Sequence, residues 1–134
     1  MNHKGTKNTK ERSNWLSRKI IESAIEVHRN LGPGLLEIAY EHALCHELSM
    51  RKIPFERQKK LPVVYKEINL DCNFRIDILV DNLVILELKS VERIEPLFET
   101  QLLTYLKLSD LWLGMLLNFN VSVMRNGIRR IVYG

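Results

Sequence analysis

The sequence has 134 residues, of which 46% are hydrophobic and 27% charged, so it belongs with ordinary globular chains and not with disordered or collagen-like ones. Its formal net charge of +4 favours polyanionic partners, although a solvated basic N-terminus explains the excess equally well. The two cysteines, Cys45 and Cys72, are too few for a disulfide framework and lack zinc-site spacing. We therefore expect a cytoplasmic protein without a membrane anchor.

The first third of the chain is predicted to form two consecutive helices. From about Asn14 to Leu31 apolar residues recur every three or four positions, which is typical of an amphipathic helix. The sequence Gly32-Pro33-Gly34 ends this helix, and a second helical pattern runs from Leu36 to Leu48. We interpret residues 1–13 as a basic N-terminal tail and residues 14–134 as one domain.

From Phe55 to Ser90 the pattern changes to that of β-strands. Short polar interruptions separate these strands, so we expect a meander of antiparallel strands. The last of them is apolar at nearly every position, which favours a central place in the sheet. The predicted strands are Pro62–Tyr65, Ile68–Phe74, Ile76–Val80 and Leu83–Leu88.

The C-terminal part returns to a helix and then to strands. Pro96 suits the first turn of a helix that continues to about Ser109. A further apolar strand is predicted from Leu111 to Asn118, and residues 118–124 and 126–132 are expected to pair as a hairpin. The order of elements predicts an α/β sandwich.

Three charged residues stand out in this strand region. Asp77 and Glu87 are separated by nine residues, and Lys89 follows two positions after Glu87. Because side chains alternate along a strand, Glu87 and Lys89 project to the same face. A three-residue loop from Asp81 to Leu83 would bring Asp77 opposite Glu87, whereas a two-residue turn would place the carboxylates on opposite faces.

Two carboxylates beside a lysine suit phosphodiester hydrolysis. Carboxylate oxygens hold Mg²⁺ and leave coordination positions for water and a phosphate oxygen, and Lys89 would stabilise the charge that develops on the phosphate. The alternative is a structural ion pair between Lys89 and a carboxylate, and the short motif alone does not decide between the two.

Two further constellations accompany the first. Gln101 and Tyr105 lie four residues apart and share one helical face, where they would border a polar site, although a core tyrosine is the simpler explanation. Glu37 and Tyr40 follow Gly34 at the start of the second helix. A glutamate there is also favoured by the helix dipole alone.

Taken together, these motifs resemble a known family. Four short motifs carry the resemblance: G-x-x-E-x-x-Y as Gly34, Glu37 and Tyr40, R-x-D as Arg75 and Asp77, E-L-K as Glu87 to Lys89, and Q-x-x-x-Y as Gln101 and Tyr105. The chain is similar to the GxxExxY proteins of the PD-(D/E)XK nuclease superfamily, and its Q-x-x-x-Y element resembles that of RecB-type and Cas4-type nuclease domains. The resemblance covers about Trp15 to Gly134.

The resemblance implies a fold, an activity and a site. The fold would be a restriction-endonuclease-like α/β sandwich, with a central mixed β-sheet flanked by helices. The activity would be metal-dependent hydrolysis of nucleic acid, with DNA as the favoured substrate and Mg²⁺ or Mn²⁺ as cofactor. The implied metal ligands are Asp77, Glu87 and Glu37, and the implied catalytic residues are these three with Lys89, Gln101 and Tyr105.

Two rival functions remain open at this point. A domain of this fold can bind nucleic acid or a protein without cutting it, since fold does not fix function. The charged residues can also form a purely structural ion network. For the nuclease, we expect a basic rim around the site, drawn from Lys59, Lys60, Arg75, Arg93, Arg129 and Arg130.

Overall fold

The computed structural model describes residues 6–134, and the first five residues of the predicted N-terminal tail lie outside them. Helix α1 spans Lys7–Leu31 and begins seven residues before the predicted Asn14. The reason is a cap, because the Thr6 hydroxyl accepts the Thr9 N–H at 3.1 Å and satisfies an otherwise unpaired donor of the first turn. The predicted start of this helix at about Asn14 is therefore wrong, and residues 7–13 of the predicted tail are helical.

Helix α2 spans Glu37–Met50 and follows a short Gly-Pro-Gly connection. Gly34 has a φ of 98°, a backbone conformation that favours glycine. The Tyr40 hydroxyl donates to the Gly32 carbonyl at 2.6 Å and accepts the Leu35 N–H at 3.1 Å. Tyr40 is fully buried, so its two hydrogen bonds fix the connection that leads to Glu37, the first residue of α2.

Five strands form the central sheet in the order β1-β4-β5-β6-β7, and β2 pairs only with β3 in a separate hairpin. Strand β5 is the middle strand, as its apolar sequence predicts, and it runs parallel to β6 while the other neighbours are antiparallel. The strands are β1 Phe55–Lys60, β2 Val63–Tyr65, β3 Ile68–Leu70, β4 Arg75–Val80, β5 Val84–Lys89, β6 Leu113–Asn118 and β7 Ile128–Val132.

Two predicted pairings are wrong. The strand region is not a simple meander, because β1 pairs with β4 across the β2-β3 hairpin. The C-terminal strand β7 pairs with β6 and not with residues 118–124. Asn118 ends β6, and residues 119–123 form a loop that leads into the 3-10 turn Met124–Gly127. In both cases the strand pairs with a segment other than its neighbour in sequence, and local sequence patterns do not specify such a partner.

The helices cover both faces of the sheet. Helices α1 and α2 pack on one face against a core that includes Ile78, Val84 and Leu86. Helix α3, Pro96–Ser109, packs on the other face, where Leu102 and Tyr105 join the second core. The molecule is thus the predicted α/β sandwich with a mixed sheet. No helix among residues 6–134 combines the length and the apolar composition of a membrane span.

Candidate functional site

Asp77 and Glu87 lie on the adjacent strands β4 and β5, directly opposite one another. The ladder pairs Val80 with Val84 and Ile78 with Leu86, so the connection has three residues, as the predicted constellation requires. Extending this register by one step aligns Asp77 with Glu87. The geometric condition for a shared carboxylate site is therefore met.

At this point side chains replace the backbone ladder. The Asp77 N–H donates to Oε2 of Glu87 at 3.0 Å, and the Leu88 N–H donates to Oδ2 of Asp77 at 2.9 Å. Each carboxylate thus accepts a backbone proton from the opposite strand. These two hydrogen bonds fix both carboxylates without a cation and keep the strands bridged where the regular ladder has ended.

Both carboxyl groups of the pair have raised pKa values. Burial, together with the charge of Asp77, raises the pKa of Glu87 to about 8. Burial also raises the pKa of Asp77, and the nearby charges of Glu41 and Glu37 add to the effect while the Leu88 N–H opposes it. Two carboxylates that each disfavour ionisation beside the other form a site that a cation would relieve.

Glu37 is the first residue of α2 and is exposed. Its charge acts on both Asp77 and Glu87, so it lies on the same side of the molecule as the pair. Among residues 6–134, however, no three His, Cys, Asp or Glu side chains are close enough to form a metal site together. The role of Glu37 as a third ligand stays a prediction.

Lys89 ends β5 two residues after Glu87. Its ammonium group lies 4.4 Å from the ring centroid of Phe98 on α3, and its charge lowers the pKa of both carboxyls. Within the described part of the chain, no ion pair joins Lys89 to Asp77 or Glu87. The simple structural ion pair weighed above is thus not formed.

Gln101 and Tyr105 stand on α3 beside this pair. The Gln101 amide donates to the Tyr105 hydroxyl at 3.1 Å, and Tyr105 is 8% exposed. Burial raises the pKa of Tyr105, and the charges of Glu87 and Asp77 add to the rise. Tyr105 therefore faces the carboxylates, and Gln101, which is exposed, holds its hydroxyl from the solvent side.

Each of the basic residues expected around the site interacts with another part of the chain. Arg130 is directed towards α1, where it contacts the Trp112 ring and the Asn14 side chain, and Arg93 is 3.6 Å from Glu95. The other interactions are Lys59 with Glu56, Lys60 with Asp71, Arg75 with the Gln58 carbonyl, and Arg129 with the Asn126 and Ile128 carbonyls. The expectation of a rim that includes Arg130 is wrong.

Sequence reasoning missed a buried polar network centred on Glu41. Glu41 is 5% exposed, and its Oε2 accepts two bonds from the Arg57 guanidinium at 3.0 and 2.7 Å. Its Oε1 accepts the Gln58 amide at 2.9 Å. Gln58 has a φ of 48° and interrupts the β1-β4 ladder at the position that faces Asp77. The network therefore ties α2 to the strand beside the site.

A signal for Glu41 was present in the sequence. Glu41 lies three and seven residues before Leu44 and Leu48, so helical periodicity places it within the buried stripe of α2. A buried glutamate requires a partner, but no local pattern identifies Arg57 as that partner.

The family comparison agrees with this architecture. A family model described as the PD-(D/E)XK nuclease superfamily matches residues 14–131, which include both strands of the carboxylate pair and helix α3. No curated protein and no solved structure matches the chain.

Proposed function

Because the chain belongs to the PD-(D/E)XK nuclease superfamily, we propose that it is a divalent-metal-dependent nuclease that hydrolyses phosphodiester bonds, with DNA as its substrate. The observation that carries the proposal is the opposed pair of Asp77 and Glu87, buried and bridged across two strands. Neighbouring carboxylates with raised pKa values gain most from a cation held between them.

The donor set fits Mg²⁺ or Mn²⁺. Both ions prefer carboxylate oxygens. The two crossed hydrogen bonds, from the Asp77 N–H to Glu87 and from the Leu88 N–H to Asp77, engage only Oδ2 of Asp77 and Oε2 of Glu87. Oδ1 and Oε1 accept no hydrogen bond from the described residues and would hold the ion, and the exposed Glu37 side chain would have to move closer to join them as a third ligand. When bound, such an ion acts as a Lewis acid towards phosphate and acidifies water.

The remaining residues act on the phosphate. Lys89 keeps its ammonium group over Phe98 and out of any ion pair with the carboxylates, so its charge is available to stabilise negative charge on the phosphoryl oxygens. Tyr105 has its hydroxyl oriented by Gln101 and would donate to a phosphate oxygen. Its raised pKa keeps it protonated, and therefore a donor, at neutral pH.

The test is cleavage of single-stranded, double-stranded and branched DNA and RNA in Mg²⁺, Mn²⁺ or chelator. The variants Asp77→Asn and Glu87→Gln retain an oxygen that can accept the crossed hydrogen bonds, so they separate loss of charge from loss of folding. We expect each to lower cleavage by at least about 100-fold. Asp71→Asn removes the same charge from an exposed residue of the β3-β4 connection and should leave cleavage unchanged.

The same variants test metal binding directly. Mg²⁺ or Mn²⁺ should raise the thermal midpoint of the wild type by linkage of binding to folding, and Asp77→Asn should abolish the rise. A protein that binds DNA, cleaves nothing and ignores both metals would instead be a binding module of nuclease fold, and the proposed activity would be wrong.

A further inference from the structure

The two tryptophans of the chain, Trp15 and Trp112, each lie against two cationic side chains. The Lys10 ammonium group is 5.5 Å from the centroid of the Trp112 ring, and the Arg130 guanidinium carbon is 5.3 Å from it. Arg130 also donates to the Asn14 side chain. We call Trp112, Lys10, Arg130 and Asn14 the Trp112 clamp. It joins α1 to β7 and to the residue before β6.

The cations of Trp15 differ from those of the clamp in one respect. Arg12 and Lys19 lie 4.6 and 5.7 Å from the Trp15 ring, but each is neutralised. Arg12 is 3.0 Å from Asp81, and Lys19 is 3.7 Å from Glu22.

Neither cation of the clamp has an acidic partner among residues 6–134. Two like charges held against one ring repel each other, and the attraction of the ring is worth only about 1 kcal/mol at an exposed site. An anion placed between Lys10 and Arg130 would remove the repulsion and would accept charge-assisted hydrogen bonds from both side chains. A tryptophan ring beside them offers a stacking surface for a base.

Trp112 lies at the end of the sheet opposite the carboxylate pair, and the Arg130 side chain reaches its ring from the level of Met115, the β6 residue with which Arg130 pairs. Strands β5 and β6 are parallel, with Glu87 paired to Leu116, and Trp112 precedes Leu116 by four residues. At about 3.3 Å per residue, roughly 13 Å of strand separates the two levels. A phosphate in the clamp is therefore a different phosphate from the one beside Asp77 and Glu87.

We propose that the Trp112 clamp is a second phosphate contact for the backbone of the nucleic-acid substrate, remote from the carboxylate site. The inference rests on the proposed function for the identity of the polyanion. With one charge per about 3.4 Å along a strand, the separation of the levels corresponds to at least about four nucleotides. The clamp would hold the substrate outside the cleaved position and favour chains long enough to reach it.

The experiment measures binding of a labelled duplex DNA of about 20 base pairs to metal-free protein, which cannot cleave it, over a series of salt concentrations. The variant Lys10→Gln/Arg130→Gln should lower the slope of log affinity against log salt by about 0.9 for duplex DNA, since the single phosphate held between the two side chains contributes about 0.9. Arg12→Gln/Lys19→Gln removes the same charge from the neutralised pair and should lower the slope by less than half as much. Arg130→Lys should retain the slope, because it retains the charge.

The tryptophan emission supplies an independent readout. In Trp15→Phe only Trp112 remains, and DNA should change its fluorescence, whereas in Trp112→Phe the emission of Trp15 should change little. Equal slopes for the two double variants, or a Trp112 emission that responds to inorganic phosphate or anionic vesicles but not to DNA, would overturn the inference. If the wild type cleaves no nucleic acid but the Lys10→Gln/Arg130→Gln variant still has the lower salt slope, the proposed nuclease activity is wrong and the proposed phosphate contact is supported.

Discussion

Glu87 is a buried acid whose ionisation is disfavoured in the folded protein. It is 8% exposed, and burial is the largest cause of its raised pKa, ahead of the charge of Asp77. An acid whose pKa rises on folding binds its proton more tightly in the folded state, so the folded state loses stability when the pH rises past the unfolded pKa.

This sign gives a pH prediction for the metal-free protein. The contribution of Glu87 to its free energy of unfolding should be greatest below about pH 4.3, the unfolded value for Glu, and should be lost, by roughly 1–4 kcal/mol, as the pH rises to about 8, the folded value. Glu87→Gln should flatten the profile over that window. Urea denaturation in chelator at several pH values measures it, and a wild-type profile that rises with pH would contradict the assignment.

Lys89 is predicted to act on substrate and not on the metal. Lys89→Met should keep the rise in thermal midpoint produced by Mg²⁺ and lower kcat by at least about 100-fold. Lys107→Met removes a charge from an exposed position of α3 and serves as the control. If Lys89→Met abolished the thermal response while leaving kcat intact, the assigned role would be wrong.

Between elements, the Glu41 network supports the strand next to the site. Its ion pair is almost fully desolvated on the glutamate side and about one third exposed on the arginine side, with an oxygen-to-nitrogen distance of 2.7 Å. Because removal of one partner leaves the other charge partly buried and unpaired, the network is expected to contribute to stability and to the position of β1.

We expect Glu41→Gln to lower the free energy of unfolding by about 1–3 kcal/mol. The double variant Glu41→Gln/Arg57→Gln should recover part of that loss, since no orphaned charge remains. Urea denaturation measures both. Additive losses in the double variant would show that Glu41 and Arg57 do not act as a pair.

The contacts between elements show which parts of the structure the sequence could predict and which it could not. Asp77 and Glu87 belong to consecutive strands, so the alternation of side chains reduced the question to the length of one loop, and the structure has the three-residue loop that places them together. Glu41 and Arg57 meet through packing of α2 on β1, and Arg130 reaches Asn14 across 116 positions of sequence. Such contacts depend on the whole fold, and no local periodicity encodes them.

At the scale of the whole molecule, the β2-β3 hairpin stands apart from the central sheet. Tyr65 pairs with Ile68, so both side chains share one face of the hairpin, and they are 59% and 62% exposed. Val64 lies on the other face and is also 62% exposed. An apolar strand surface of this kind promotes association between molecules.

Tyr65→Thr/Ile68→Thr should therefore change the free energy of unfolding by no more than about 0.5 kcal/mol while reducing concentration-dependent self-association. Val64→Thr changes a residue of equal exposure on the face opposite the Tyr65–Ile68 pair and should reduce association less. Light scattering against protein concentration, together with urea denaturation, tests the pair of variants. A large loss of stability in the double variant would show that the hairpin belongs to the core.

The crossed bonds between β4 and β5 make two backbone protons local reporters of the site. The amide protons of Asp77 and Leu88 are held by carboxylate oxygens and not by carbonyls, so their exchange with deuterated solvent depends on where those side chains point. Amides of the regular ladder, such as those between Ile78 and Leu86, do not share this dependence. Deuterium uptake at these two positions would therefore follow rearrangement of the carboxylates even when no bond is cleaved and the rest of the sheet stays closed.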